Sequence, residues 1–251
     1  MRAVPAVTRA VAILRFLGAS REPLGVNAIA RGLGLIPSTC LHILRVLVAE
    51  EMVAFDPATK RYRLDAGLVT IARSALSRNG FADLAQPALD RLARRRGVTA
   101  IGVQVLGLEH IYVVAISRPD QTVRLHVDIG SRFPALISAS GQCVAAFGGH
   151  PWSAIERHFR ALRWDDPPSF EAWRAAVEAT RERGYGLDEG SHLRGITVLA
   201  APVRSGAEPL GHVVLAVGVS EQVRRIGIEQ LALDLREAAD SCARHLLAGG
   251  A

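Results

Sequence analysis

The eleven residues PSTCLHILRVL, 37 to 47, carry hydrogen-bond donors at helical spacing. On an α-helix Ser38, His42 and Arg45 stand at i, i+4 and i+7 and share one stripe, with Thr39 at its flank. Cys40, Ile43, Leu44 and Leu47 fall on the opposite stripe and are candidate core. Hydroxyls and free amides at a helix start, followed by an imidazole and a guanidinium, suit phosphate oxygens and base edges. Pro37 fits the first helical position, and Gly32 and Gly34 permit a tight turn just before it. Farther on, ATKRYRL places Lys60, Arg61 and Arg63 near the tip of a predicted hairpin, where a wing touches phosphate or the minor groove. Taken singly, each feature has a plainer use: Ser-Thr as a cap, His42 as a surface residue, one of Arg61 and Arg63 solvating a strand edge. Together they favour DNA. Residues 1 to 66 hold nine Lys and Arg against five Asp and Glu, a surplus of four.

Signs of catalysis are sparse. SASGQ, 138 to 142, lacks the first glycine of a G-x-S-x-G nucleophile turn. There is no H-E-x-x-H, no phosphate-binding P-loop, and no G-x-G-x-x-G after a strand. Asp188 and His192 are four apart, but in a strand or loop that spacing does not make them face each other. Cys143 lies in a predicted short helix and reads as core. Cys40, Cys143 and Cys242 are far apart and odd in number, so neither a disulfide framework nor a metal-binding Cys pair is suggested, and a reducing cytoplasm is the simplest setting. The expectation is a non-enzyme without cofactor or metal. An enzyme or a ligand-binding interaction module, either on a similar fold, is the alternative.

The elements that must position these residues follow from periodicity. Arg2 and the apolar stretch after it resemble a leader, but Arg15 interrupts the stretch and no clean cleavage site follows. Val7, Ala10, Val11, Leu14 and Leu17 recur instead at helical spacing, predicting a helix over 6 to 18. Pro23 and Gly25 mark a turn, and helices over 26 to 31 and 37 to 50 follow. MVAFDPATKRYRL alternates, turns at 56 to 59, and alternates again, which is a hairpin signal. Helix, helix, helix, hairpin is the order of a winged helix-turn-helix. Helices over 67 to 79 and 82 to 97 follow, with a joint at Asn79-Gly80. After that, strands are predicted in TAIGVQVLG, HIYVVAIS, VRLHVDIG, VLAAPV and LGHVVLAVGV. Helices over 138 to 147, 151 to 162 and 170 to 183 lie among them, and a long helix over 221 to 247 closes the chain. This second part is an α+β pattern. A chain of 251 residues, 49% hydrophobic and 22% charged, has room for two domains. The net charge of +6 weakly favours a polyanionic partner. No run approaches the ~20 apolar residues of a membrane span.

The stretches RAVAILRFL, PLGVNAIARGLGL, PSTCLHILRVLV, FDPATKRYRL and GYGLDEGSHLRGITVLAAPVRS, in this order and spacing, resemble the IclR-type bacterial transcription regulators over nearly the whole chain. The resemblance implies a winged helix-turn-helix over 1 to 66, a linker helix over 67 to 80, and a GAF-like α/β effector-binding and oligomerisation domain over 81 to 251. It implies a homodimer or homotetramer on a pseudo-palindromic double-stranded operator, controlling catabolism of a small molecule. Where the family reads Lys-Ser-Thr-x-His-Arg, this chain has Pro37, Ser38, Thr39, Cys40, Leu41 and His42. The Ser-Thr pair is kept and the large donors are displaced, so no operator sequence carries over. For the effector pocket the resemblance implies Ala139, Ser140 and Gly141 at a helix start, with Asp188 keeping an acidic position. Val198 stands at the family's Cys position, and Val214 and Ala216 at hydroxyl positions on the next strand. A register shifted by one or two residues on that short apolar strand is the alternative. Apolar groups in place of polar ones favour a ligand with an apolar body, since polar atoms buried without partners are costly. The expected effector is a small organic acid, aromatic, with its acid end at the amides of 139 to 141 and its body on Val198, Val214 and Ala216. Asp188 suits an anion poorly unless it accepts from a ligand hydroxyl or orders the loop.

Overall fold

The computed structural model describes residues 4–77, 80–118, 127–162 and 167–249. The chain divides into two compact units, residues 1–78 and 79–251.

In the first unit α1 (Pro5–Ala19), α2 (Val26–Gly32) and α3 (Pro37–Ala49) precede a hairpin of β2 (Val53–Asp56) and β3 (Arg61–Leu64). The expected turn at Pro23 and Gly25 carries a two-residue strand, β1 (Leu24–Gly25), that pairs with β3 and completes a three-stranded sheet. Proline opens both α1 and α3, where its missing N–H has no helical acceptor to lose. The chain bends by 113° between α2 and α3. Gly34 supplies the left-handed residue of that turn at φ 63°, and a Cβ on Gly32 would meet the Phe16 ring at 2.4 Å. The core joins Ile13 and Leu17 of α1, Ile29 of α2, Cys40, Leu44 and Leu47 of α3, and Tyr62 of the hairpin. Ile43, expected on the core stripe, is half-buried. The helix α4 (Gly67–Ser77) follows; the two further positions expected of it, 78 and 79, the second being Asn79 of the joint, lie outside the described residues.

The second unit is one antiparallel six-stranded sheet, ordered β6-β5-β4-β9-β8-β7. Its strands are β4 (Thr99–Leu106), β5 (His110–Ser117), β6 (Arg132–Pro134), β7 (Gly186–Asp188), β8 (Ile196–Ser205) and β9 (Glu208–Val219). The strand expected in VRLHVDIG falls mostly outside the described residues, and its described end, 127 to 130, is not strand. One face is covered by α5 (Phe81–Arg96) and α10 (Ile228–Gly249), whose Leu89, Leu92, Leu231 and Leu235 meet Leu199, Val214 and Ala216. Arg95 and Arg96 of α5 both pair with Asp234 of α10, nearly buried between them. The other face is covered by α6 (Ser138–Phe147), α7 (Trp152–Arg160) and α8 (Phe170–Arg183), with Cys143, Ile155, Trp173 and Val177 packed on Ile101, Val113, Leu215 and Val217. The single closing helix expected over 221 to 247 is two: α9 (Ser220–Ile226) ends at Gly227, which adopts φ 89°, and α10 starts anew. Among the described residues no single helix is long and apolar enough to cross a membrane.

Candidate nucleic-acid interface and ligand cavity

The face of α3 expected to carry donors is open. Ser38, His42 and Arg45 are exposed and Thr39 is half-buried, while Cys40, Leu44 and Leu47 on the opposite side are buried. Burial pushes the Cys40 thiol pKa up, in keeping with a core role. One helix thus separates its packing residues from its donors, at the end of a sharp turn.

The hairpin tip is built by Asp56. Its carboxylate accepts from the Ala58 amide at 2.9 Å and from the Thr59 hydroxyl at 2.6 Å. These bonds, the Thr59 hydroxyl first, hold the Asp56 carboxyl below its ordinary range. Lys60 closes the turn in the left-handed region, φ 55°, and is exposed. Arg61 and Arg63 both face solvent on either side of buried Tyr62. The two arginines differ in use. The Arg61 guanidinium donates to the Pro23 carbonyl at 3.2 Å, which ties the hairpin to the β1 segment. Arg63 stands opposite Ala54, and its charge acts on the Asp56 carboxylate.

In the second unit a cavity of about 90 Å³ opens between the sheet and the start of α6. Ile101, Val103, Ile111, Val113, Val198, Leu215 and Val217 form its floor, Ile137, Ser138 and Ser140 one wall, and His192 and Leu193 part of its rim. The sequence-derived pocket is only partly here. Ser140 and Val198 line the cavity. Val214 and Ala216 do not: they belong to the core under α5 and α10, on the opposite face of the sheet. Side chains alternate across a strand, so an error of one residue in register moves the whole set. The residues of β9 that reach the cavity are Leu215 and Val217, which are also apolar.

The helix start also differs from the expectation. Ala139 is fully buried in the core and Gly141 packs against the chain before it, where a Cβ would lie 2.0 Å from the Leu136 carbonyl carbon. The Gly141 amide donates to the Ile137 carbonyl at 2.9 Å, which the Ser140 hydroxyl also engages at 3.0 Å. The helix offers no acceptor to the amides of Ala139 and Ser140, so the donors of the expected anion site reduce to these two. Ser138, missed by the sequence, lines the cavity and holds φ 56°, a strained value for a residue with a side chain.

Asp188 stands behind this wall and not in it. One oxygen accepts from the Ser138 hydroxyl at 2.7 Å, and the other from the amides of Gly190 at 3.2 Å and Ser191 at 2.7 Å. Both oxygens are committed to the protein. The carboxylate therefore orders the loop and fixes Ser138, the second of the two roles open to it. Cys143 is fully buried, donates from Sγ to the Ala200 carbonyl at 3.2 Å, and has its pKa pushed up to about 12 by burial. A thiol so protonated is no nucleophile. Among the described residues no group of three or more His, Cys, Asp or Glu side chains is placed to hold a metal ion.

Comparison with known proteins assigns the family. Residues 6–57 match the IclR helix-turn-helix domain and residues 73–247 the C-terminal domain of the bacterial transcriptional regulator IclR. The chain is 32% identical over 259 residues to a glycerol operon regulatory protein of Streptomyces griseus, covering 99% of this chain and 98% of that protein. It is 27% identical over 243 residues to a probable transcriptional regulator of Cupriavidus necator, covering 94% of each. Among solved structures, an IclR transcriptional regulator from Alicyclobacillus acidocaldarius superposes with a TM-score of 0.82 at 27% identity, over 97% of this chain and 99% of that one. An IclR homologue from Microbacterium hydrocarbonoxydans, complexed with 4-hydroxybenzoate, shares the fold with a TM-score of 0.81 at 20% identity, over 97% of this chain and 99% of that one. The two family matches fall in order along the two units, and the chain belongs to the IclR family of bacterial transcriptional regulators.

Proposed function

We propose that this regulator acts in the cytoplasm as a ligand-responsive switch on a catabolic operon. Residues 1 to 66 bind double-stranded DNA, 67 to 80 form the linker, and 81 to 251 bind the effector and assemble the oligomer. Ser38, Thr39 and His42 approach bases or adjacent phosphates in the major groove, and Arg45, Lys60 and Arg61 contact phosphate, with Arg63 beside them. The observation that carries this reading is the open donor stripe of α3, on a helix whose opposite side is buried. The protein turns nothing over. The names of its relatives, among them the glycerol operon regulators, support control of small-molecule catabolism.

The effector is a small, partly apolar organic acid, aromatic in its body. Its carboxylate meets the amides of Ala139 and Ser140, and its body lies on Val198, Leu215 and Val217. A cavity of about 90 Å³ is far below the roughly 300 Å³ at which ligand sites ordinarily start, so the ligand is small or the walls give way to it. The complex of a structural neighbour with 4-hydroxybenzoate supports this class. Occupancy changes the affinity of the other unit for DNA, a coupling typically worth ~1–3 kcal/mol.

The test is a gel shift with the full-length protein and the DNA flanking its own gene, with and without benzoate and 4-hydroxybenzoate. A discrete complex whose apparent Kd moves about fivefold or more with one of these acids is expected. A protein that binds all fragments alike, or not at all, does not regulate them. A specific complex indifferent to both acids removes the effector class and leaves the DNA reading standing.

A further inference from the structure

We propose that Ile36 reads sequence by packing on a thymine C5-methyl group in the major groove. This rests on the DNA-binding reading above and extends it to a residue no donor pattern would select. Ile36 is the N-cap residue of α3 and is 69% exposed. A helix N-cap is ordinarily Ser, Thr, Asp or Asn, whose side chains accept from the free amides of the first turn. Here no side-chain cap bond forms. The neighbouring turn residues Leu33 and Leu35 pack against the core of the unit, and Ile36 does not join them. An exposed isoleucine therefore replaces a capping group at the helix end that carries Ser38, the end that enters the groove first.

The chemistry that fits such a group is specific. Base edges in the major groove present donors and acceptors, and thymine alone adds a methyl group. Ile36 is also rigid. Pro37 holds it extended, at φ −68° and ψ 129°, and branching at Cβ limits its rotamers. Its carbonyl is fixed as well, accepting from the Cys40 amide at 3.0 Å. A preset apolar knob loses little freedom on contact, so its packing is expressed as affinity and discrimination.

The experiment starts from a random-sequence duplex library enriched by the full-length protein. In the tightest duplexes each thymine is then replaced singly by deoxyuridine, which removes only the methyl. The wild type should lose about fourfold in affinity at one thymine in each half-site, the loss expected for withdrawing one carbon from apolar contact. Ile36→Ala should bind the thymine duplex more weakly by a similar factor and be blind to the replacement at that position. Ile36→Val should retain part of the effect. Val46→Ala, an exposed valine ten residues and about 15 Å along the same helix, should respond to deoxyuridine as the wild type does. No deoxyuridine effect in the wild type, or the same effect in Ile36→Ala, overturns the proposal while specific binding stands. A library that yields no enriched sequence overturns the DNA-binding reading and this one with it.

Discussion

At the scale of single residues, the second unit uses ionisable groups to hold its backbone in place. Asp188 is 4% exposed and accepts three hydrogen bonds, one of which fixes a serine in the left-handed region. Removing the carboxylate leaves the Ser138 hydroxyl and two amides without their acceptor. Asp188→Ala should lower stability by about 3 kcal/mol, since bonds to a charged acceptor are worth roughly 1.5–3 kcal/mol each and are not additive. Asp188→Asn, which keeps an acceptor for the amides, should cost about 1 kcal/mol. Chemical denaturation separates these values, and a neutral Asp188→Ala would show that the loop is held by other contacts. His212 behaves in the opposite sense. It is buried, stacks on Phe81 at 4.0 Å and engages the Leu210 carbonyl through Nδ1, while Nε2 finds no hydrogen-bond partner among the described residues. Burial pushes its pKa below the ordinary value of 6.5. As pH falls through 6.5 the unfolded chain takes up a proton that the folded chain resists, so stability drops until the folded pKa is reached. The Tm should therefore decline between about pH 7.5 and 5.5, and His212→Gln should flatten that decline. A variant with the same pH slope as the wild type would remove His212 as its source.

At the scale of elements, what was legible in the sequence was whatever carries its own period. The α3 stripe reads at 3.6 residues per turn because one side packs and the other does not. Ser38, Thr39, His42 and Arg45 therefore landed where the pattern put them. Four strands of the second unit, β4, β5, β8 and β9, were legible as strands but not in register, while the three-residue β6 and β7 are too short to carry a period. Val213 to Val217 is apolar at every position because the sheet is buried on both faces, so neither phase of the alternation stands out. Val214 and Ala216 were drawn from the wrong phase for this reason. Ser138 was hidden by a different fact: its role comes from a backbone angle and a partner fifty residues away. The two-residue strand β1 and the break at Gly227 are likewise set by tertiary pairing and by a single left-handed residue, which no window average detects. The corrected register yields its own prediction. Calorimetry of the full-length protein with benzoate should show that Val198→Ser or Leu215→Ser weakens binding several-fold, since each places a hydroxyl against an apolar ligand body. Ala216→Ser, on the far face, should leave ligand preference unchanged. An effect of Ala216→Ser larger than that of Leu215→Ser would return the pocket to the other register.

At the scale of the whole molecule, the first unit exposes more apolar surface than a lone DNA-binding head requires. Val4, Val7 and Val11 of the α1 segment and Val69 and Ile71 of α4 are all exposed. Scattered single residues would need no explanation, but here they recur on two helices of one small unit. A winged helix-turn-helix reads few base pairs, and tight, selective binding is ordinarily reached by two heads on two half-sites related by symmetry. On the oligomeric reading proposed above, the exposed valines and isoleucine of α1 and α4 are the side chains that would join two copies. Light scattering at about 10 μM should then find a dimer or a tetramer, and Val7→Glu with Ile71→Glu should shift it toward smaller species by burying charge at the contact. The DNA consequence distinguishes assembly from a direct contact. Linking two heads raises affinity for a paired site by roughly 10²–10⁴ without adding a contact. The double variant should therefore lose about a hundredfold or more on a duplex with two half-sites and almost nothing on a duplex with one. Equal losses on both duplexes would mean that these side chains touch DNA, and a wild type that is monomeric with and without DNA would remove the assembly altogether.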